Sequence, residues 1–146
     1  MASSAGWRVF LDTNVVFSGL YTERGPPGRI LAAAVDGLFL PVLSSTVIEE
    51  VVRNLQGKLP RALPQLDLLF SLIHFEVAPE ASEAVLAGLV YAGFGTDAPI
   101  IAAAIQAGVD YLCTGDRGFR ERAATTGGIS VTTPREMLTL LTRGSS

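Results

Sequence analysis

Short apolar runs recur along this chain, and the clearest of them carry no polar residue on either side of the pleat. Residues 9–11, 38–43 and 111–113 are of this kind, and 75–77 and 129–131 read as two further short strands. A strand that is apolar throughout is covered on both of its faces. Between the runs lie stretches with helical spacing. That alternation predicts an α/β chain of three α/β/α layers around a central parallel sheet of about four or five strands. With 146 residues the chain forms one domain over 1–146, its core spanning about 8–141.

The punctuation sets the helices. Residues 15–20 are expected to form one or two helical turns, and 23–28 a loop rich in Gly and Pro. A helix over 29–35 stops at Asp36-Gly37. Pro41 suggests an edge or bulge position for its strand. Ser44, Ser45 and Thr46 are all N-cap candidates for a helix over 47–56, whose apolar stripe is Val47, Ile48, Val51, Val52 and Leu55. Pro64 opens a helix to about 72, and 80–91 is helical. Thr96 is expected to cap a helix over 97–106, which Gly108 ends, and a short helix covers 119–124. Thr133 to Glu136 is a capping box with Pro134 at the first helical position.

Apolar residues make up 49% of the chain and charged ones 17%, so part of the surface is expected to cover a partner. The net charge is −3, which excludes binding to nucleic acid by overall charge alone. A local basic patch or a metal ion has to bring phosphate in. The lone Cys113 excludes an intrachain disulfide and reads as a small core residue. It fits a reducing compartment. The first six residues lack an apolar signal core, and no uninterrupted run is long enough to span a membrane. A cytoplasmic protein is expected.

Acids stand where strands stop or helices begin. Asp12 ends the first strand, Asp116 follows Tyr111-Leu112-Cys113-Thr114-Gly115, Asp97 opens a helix, and Glu49 and Glu50 sit early in another. In an α/β fold these ends share one edge of the sheet, where ligands bind. Gathered carboxylates repel one another unless a cation neutralises them, and Mg²⁺ or Mn²⁺ prefers oxygen ligands. Each acid also has a structural role open to it. Asp12 suits a helix N-cap, Asp97 the positive end of a helix dipole, and Asp116 a turn. Glu49 and Glu50 flank the apolar stripe at similar angles, so amphipathicity does not choose between them. A capping box from Thr46 would occupy Glu49 and leave Glu50 free.

Four segments resemble, in order, the motifs of the PIN-domain nucleases. Val9-Phe10-Leu11-Asp12-Thr13-Asn14-Val15 looks like the first. Ser44-Ser45-Thr46-Val47-Ile48-Glu49-Glu50-Val51 looks like the second, in which the acid directly before the next apolar position is functional. Asp97-Ala98-Pro99-Ile100-Ile101-Ala102-Ala103-Ala104 and Tyr111-Leu112-Cys113-Thr114-Gly115-Asp116-Arg117-Gly118-Phe119 are similar to the third and fourth. Thr133-Pro134-Arg135-Glu136-Met137-Leu138 resembles the close of the bacterial and archaeal, VapC-like branch. Further acids that many relatives carry near the third motif are absent here, where Asp97 stands alone.

The resemblance selects Glu50. It implies a metal-dependent endoribonuclease using Mg²⁺ or Mn²⁺, with Asp12, Glu50, Asp97 and Asp116 holding the metal and its waters. The ion would polarise a phosphodiester and activate a water for attack on phosphorus. Thr13, Asn14 and Thr114 are expected to hydrogen-bond the carboxylates. Arg117, Arg120 and Arg122 are expected to meet RNA phosphates, with a solvated helix face as their alternative role. The partners implied are RNA and an antitoxin protein, and the apolar composition points to a homodimer or to that antitoxin complex.

Two other readings stand beside this one. The first is a PIN-like module that binds RNA or protein without catalysis. The second uses Gly93-Phe94-Gly95-Thr96-Asp97-Ala98, which matches a dinucleotide-binding fingerprint. The residues before that loop read as helix rather than strand, and Asp97 would face the pyrophosphate. One Cys and one His cannot build a zinc site, and no Walker run is present. His74 is expected to be structural or partly buried. Trp7, Tyr21 and Tyr91 are expected to pack in the core, with base stacking as their alternative.

Overall fold

The computed structural model describes residues 6–144. The opening residues 1–5, read above as lacking a signal core, lie outside the described residues. The strands are β1 (Arg8–Leu11), β2 (Leu40–Ser44), β3 (Glu76–Ala78), β4 (Tyr111–Cys113) and β5 (Val131–Thr132). They form one parallel sheet of five strands in the order β3-β2-β1-β4-β5. Around it lie eight α-helices among the described residues: α1 (Thr13–Tyr21), α2 (Pro26–Val35), α3 (Ser45–Lys58), α4 (Leu63–Leu72), α5 (Glu83–Tyr91), α6 (Ala98–Ala107), α7 (Arg117–Ala124) and α8 (Pro134–Gly144). The architecture is the expected three-layer α/β/α sandwich.

β1 is the central strand: its last three residues are apolar, and its one charged residue, Arg8, sits at the strand's start, where it pairs with Glu76 of β3. Val9, Phe10 and Leu11 are sealed from solvent, as are Val42 and Leu43 of β2 and Leu112 and Cys113 of β4. Burial pushes the Cys113 thiol up to about 12, so it stays a protonated core residue. No helix among the described residues is long and apolar enough to cross a membrane.

Pro41 is the main departure from the expected register. It lies in β2, which is flanked on both sides, and its partner in β1 is Val9. The Leu40 N–H points to β1, where it donates to the Trp7 carbonyl. The next residue's N–H would face the other side. Pairing with β3 begins only at Val42 opposite Glu76, so the missing donor of Pro41 has no partner to leave unpaired.

The helix starts shift for local reasons. α1 begins at Thr13 because Asp12 caps it, and α2 begins on Pro26 and Pro27, which suit a first turn. α3 is capped by Ser44, whose Oγ accepts from the Val47 N–H at 3.3 Å. The expected box between Thr46 and Glu49 does not form. Glu80, two residues past the end of β3, takes donations from Ser45 Oγ, Thr46 N and Thr46 Oγ1 at 2.5, 3.0 and 3.0 Å. Nor does Thr96 cap α6. A 3-10 turn over Gly95–Asp97 leads into that helix, and Gly108 ends it in the left-handed conformation at φ 64°. The box from Thr133 to Glu136 forms as read, with both reciprocal bonds present.

The aromatic expectations are partly overturned. Trp7 packs edge-on against Tyr111, with ring centroids 5.2 Å apart. Tyr21 is 66% exposed and Tyr91 96% exposed, each as the last residue of its helix. His74 is exposed as well. It follows the last turn of α4, outside the layer that buries Ile73.

Candidate active site

β1 and β4 are neighbours, but the chain leaves them in opposite directions across the sheet, β1 toward β2 and β4 toward β5. Such a reversal opens a crevice at the carboxyl ends of the two strands. The Asp12 N–H closes the last rung, donating to the Cys113 carbonyl at 3.0 Å. The side chain of Asp12 therefore sits at the mouth of the crevice, with only 5% of the residue exposed.

A hydrogen-bonded cluster fixes that carboxylate. Its Oδ1 accepts from the Thr13 N–H and its Oδ2 from Thr114 Oγ1, both at 2.8 Å. Thr114, fully buried, also accepts the Asp116 N–H at 3.1 Å. Asp116 caps α7 by accepting the Phe119 N–H at 2.9 Å. Thr13 Oγ1 donates to Glu50 Oε2 at 2.7 Å, which ties α3 to the first turn of α1. Thr13 and Thr114 thus touch carboxylates, as expected. Asn14 does not. Its Oδ1 accepts the Gly115 N–H at 3.1 Å and secures the loop after β4, where the strand ladder has ended.

The electrostatics of the cluster are strained. Burial pushes Asp12 from 3.8 up to about 6, against the Thr114 and Thr13 hydrogen bonds, and the charges of Glu50 and Asp116 push it the same way. A cation in the crevice would relieve all three charges.

Asp12, Glu50, Asp97 and Asp116 all line one cleft of about 360 Å³. Glu50 is half-buried there, while Glu49 is exposed and lines no part of it. Among the described residues no group of three or more Asp, Glu, His or Cys stands close enough together, as arranged, to hold a metal ion by itself. An all-oxygen, loosely spaced set suits a hard ion that keeps several of its waters, such as Mg²⁺ or Mn²⁺.

Asp97 has a partner of its own. Arg122 Nη2 and Nε approach its Oδ2 at 2.5 and 2.6 Å. The other two arginines expected at phosphate are also paired, Arg117 with Glu121 at 3.1 Å and Arg120 with Glu136 at 3.5 Å. None of the three lines the cleft. The Gly93 loop lies between α5 and the 3-10 turn before α6. A dinucleotide fingerprint needs a strand before it, so that reading loses its structural basis.

The cleft is also lined by Phe17, Asn54, Lys58, Thr96, Ile100 and Phe119, to none of which the sequence assigned a role in the site. Two of them were within reach, since Asn54 and Lys58 follow Glu50 at helical intervals of four and share its face.

No curated protein matches the chain in sequence. Solved structures share the fold, three of them as follows. The PIN-domain endonuclease Utp24 is 19% identical, with 88% of this chain and 86% of that one covered and a TM-score of 0.57. PAE2754 from Pyrobaculum aerophilum is 15% identical, with 97% and 99% covered and a TM-score of 0.65. A domain of a functionally unknown protein from Methanocaldococcus jannaschii is 20% identical, with 88% and 91% covered and a TM-score of 0.56. The PIN-domain family model matches residues 8–118, from the first residue of β1 into the first turn of α7, and takes in all four acids of the cleft. With most of its length matched, the chain belongs to the PIN-domain family, whose members are typically nucleases.

Proposed function

We propose that this protein is an endoribonuclease that hydrolyses RNA phosphodiesters with Mg²⁺ or Mn²⁺, and that it is the toxin of a toxin–antitoxin pair. The observation that carries the catalytic reading is the convergence of Asp12, Glu50, Asp97 and Asp116, from four separate segments, on one cleft at the switch point of the sheet. Nucleases of this family generally use divalent metals. Here Asp12, Glu50 and Asp116 would hold the ion, with Asp97 acting through its waters. When bound, the ion polarises the phosphodiester and lowers the pKa of a water at the reacting phosphorus.

The chain's own residues do the rest. Thr114 and the Thr13 N–H hold Asp12 in one orientation. Thr13 sets the height of Glu50, and Asn14 pins the loop that carries Asp116. Because these anchors are hydrogen bonds from rigid elements, the carboxylates need little rearrangement to receive a cation.

The partner part of the reading rests on the surface. α5 is apolar yet has no buried residue, and Leu68, Leu72, Val77 and Val90 are all more than half exposed. A homodimer or an antitoxin would cover such a surface, in the cytoplasm where the RNA lies.

Purified protein incubated with labelled RNA tests the catalytic reading. Cleavage is expected with Mn²⁺, none in EDTA, and a loss of at least about a hundredfold in Asp12→Asn. Equal cleavage by the wild type and Asp12→Asn would overturn it. Metal-independent RNA binding without cleavage would favour a non-catalytic module.

A further inference from the structure

We infer that Phe17, Tyr21 and Lys58 form a track for single-stranded nucleic acid, leading away from the carboxylate cleft; this rests on the nuclease reading above. α1 is capped by Asp12 and carries Phe17 and Tyr21 four residues apart, on one face. Their rings stack with centroids 6.4 Å apart and planes 23° apart. α3 carries Glu50, Asn54 and Lys58 at the same spacing, and all three line the cleft. The two helix faces meet where Lys58 Nζ stands over the Phe17 ring, 5.9 Å from its centroid.

The path is continuous. Phe17 is a wall of the cleft and also of a second hollow of about 260 Å³, lined by Ser18, Tyr21, Thr22, Gly25 and Pro27. At 1.5 Å per residue, Tyr21 lies about 13 Å along α1 from Asp12, and Lys58 about 12 Å along α3 from Glu50. Aromatic and cation therefore reach similar distances from the carboxylates.

The chemistry selects the occupant. Four acids in the cleft and a net charge of −3 repel a phosphate strand, so a cation is needed on the approach. The α7 arginines are spent on Glu121, Glu136 and Asp97. Lys58 carries the positive charge among the residues lining the cleft. A ring as exposed as Tyr21, stacked on the Phe17 ring over which Lys58 stands, offers a base a stacking surface. Bases within a duplex have no free face to give it, so the track takes single strands.

Binding of a fluorescent single-stranded oligoribonucleotide and of its duplex, read by anisotropy, tests the inference. The wild type is measured in EDTA, and an Asp12→Asn background in Mn²⁺, with cleavage by the wild type followed in parallel. Tyr21 and Lys58 are exposed, so Tyr21→Ala and Lys58→Gln leave the fold intact, which a thermal melt verifies. Tighter binding of the single strand is expected, weakened about tenfold by Tyr21→Ala. Lys58→Gln is expected to reduce the slope of log affinity against log salt by about 0.7. Wild-type affinity and slope in both variants, or equal affinity for the duplex, would overturn the track while cleavage left the nuclease reading standing. Binding that depends on Tyr21 and Lys58 without any cleavage would support the track and remove the nuclease reading.

Discussion

Arg122 directs two nitrogens at one oxygen of Asp97, Nη2 at 2.5 Å and Nε at 2.6 Å. The contact joins the second turn of α7 to the 3-10 turn before α6, and it places a guanidinium against an acid of the candidate site. Asp97 is thus neutralised from within the chain before any metal ion arrives. An ion drawing on Asp97 has to compete with Arg122.

Removing that competitor has an expected sign. Arg122→Gln should tighten Mn²⁺ binding by about three- to tenfold in titration calorimetry, since Asp97 is released to the cleft. The same variant should lose no more than about 1 kcal/mol of stability in EDTA, because the Arg122 side chain is 47% exposed and water screens the pair. Unchanged metal affinity would show that Asp97 stays outside the ion's reach.

Asp12 makes the stability of the metal-free protein depend on pH. Its folded value is raised to about 6, above the 3.8 of a free carboxylate, by burial first and then by the charges of Glu50 and Asp116. A raised carboxylate contributes its stability below the unfolded pKa and loses it as pH rises through the folded value. In EDTA the wild type should therefore weaken between about pH 4 and pH 6.5. Asp12→Asn should be the more stable protein at pH 7.5, by up to about 3 kcal/mol at 1.36 kcal/mol per pH unit. The lost Thr114 and Thr13 geometry sets a smaller figure in practice. The gap should close near pH 3.5. Denaturant melts across pH measure this, and adding Mn²⁺ should reverse the order at pH 7.5.

What the sequence made legible here, and what it hid, follows from the range of the interactions. β4 falls on the residues expected, and the box from Thr133 to Glu136 forms, because both depend on neighbours within a few positions. Asp12, Glu50, Asp97 and Asp116 meet in one cleft because strand ends in a parallel sheet share an edge. Glu80 taking over the start of α3 was hidden, since its donors lie 34 and 35 positions away. The pairing of Arg122 with Asp97 was hidden for the same reason, at a separation of 25. Pro41 misled because its tolerance depends on where β3 begins, not on its own strand. Lys58 was visible in principle through its spacing from Glu50, but its place beside Phe17 depends on how α1 packs on α3.

Thr114 offers a test of the anchoring network that does not depend on catalysis. Its buried hydroxyl donates to Asp12 Oδ2 and accepts from the Asp116 N–H. Thr114→Val keeps the shape and removes both bonds, leaving two polar groups short of a partner. The expected loss is about 1–3 kcal/mol in a denaturant melt. Thr114→Ser, which retains the hydroxyl, should recover most of it. Equal stability of the wild type and Thr114→Val would mean that water replaces the hydroxyl.

Gly28 sets how closely the chain can fold back onto α2. A Cβ at this position would fall on the backbone of Glu23, carbonyl included, and backbone cannot swing aside as a side chain does. Gly28 is buried in α2, which packs on α1. Gly28→Ala would gain some helix propensity. The clash outweighs that gain, so the variant should be destabilised by about 1–3 kcal/mol. Because the loop that must move lies between α1 and α2, the hollow beside Tyr21 and Pro27 should shift with it. Gly28→Ala should then weaken single-strand binding more than Mn²⁺ binding. A variant as stable as the wild type would show that the turn over 22–25 yields without cost.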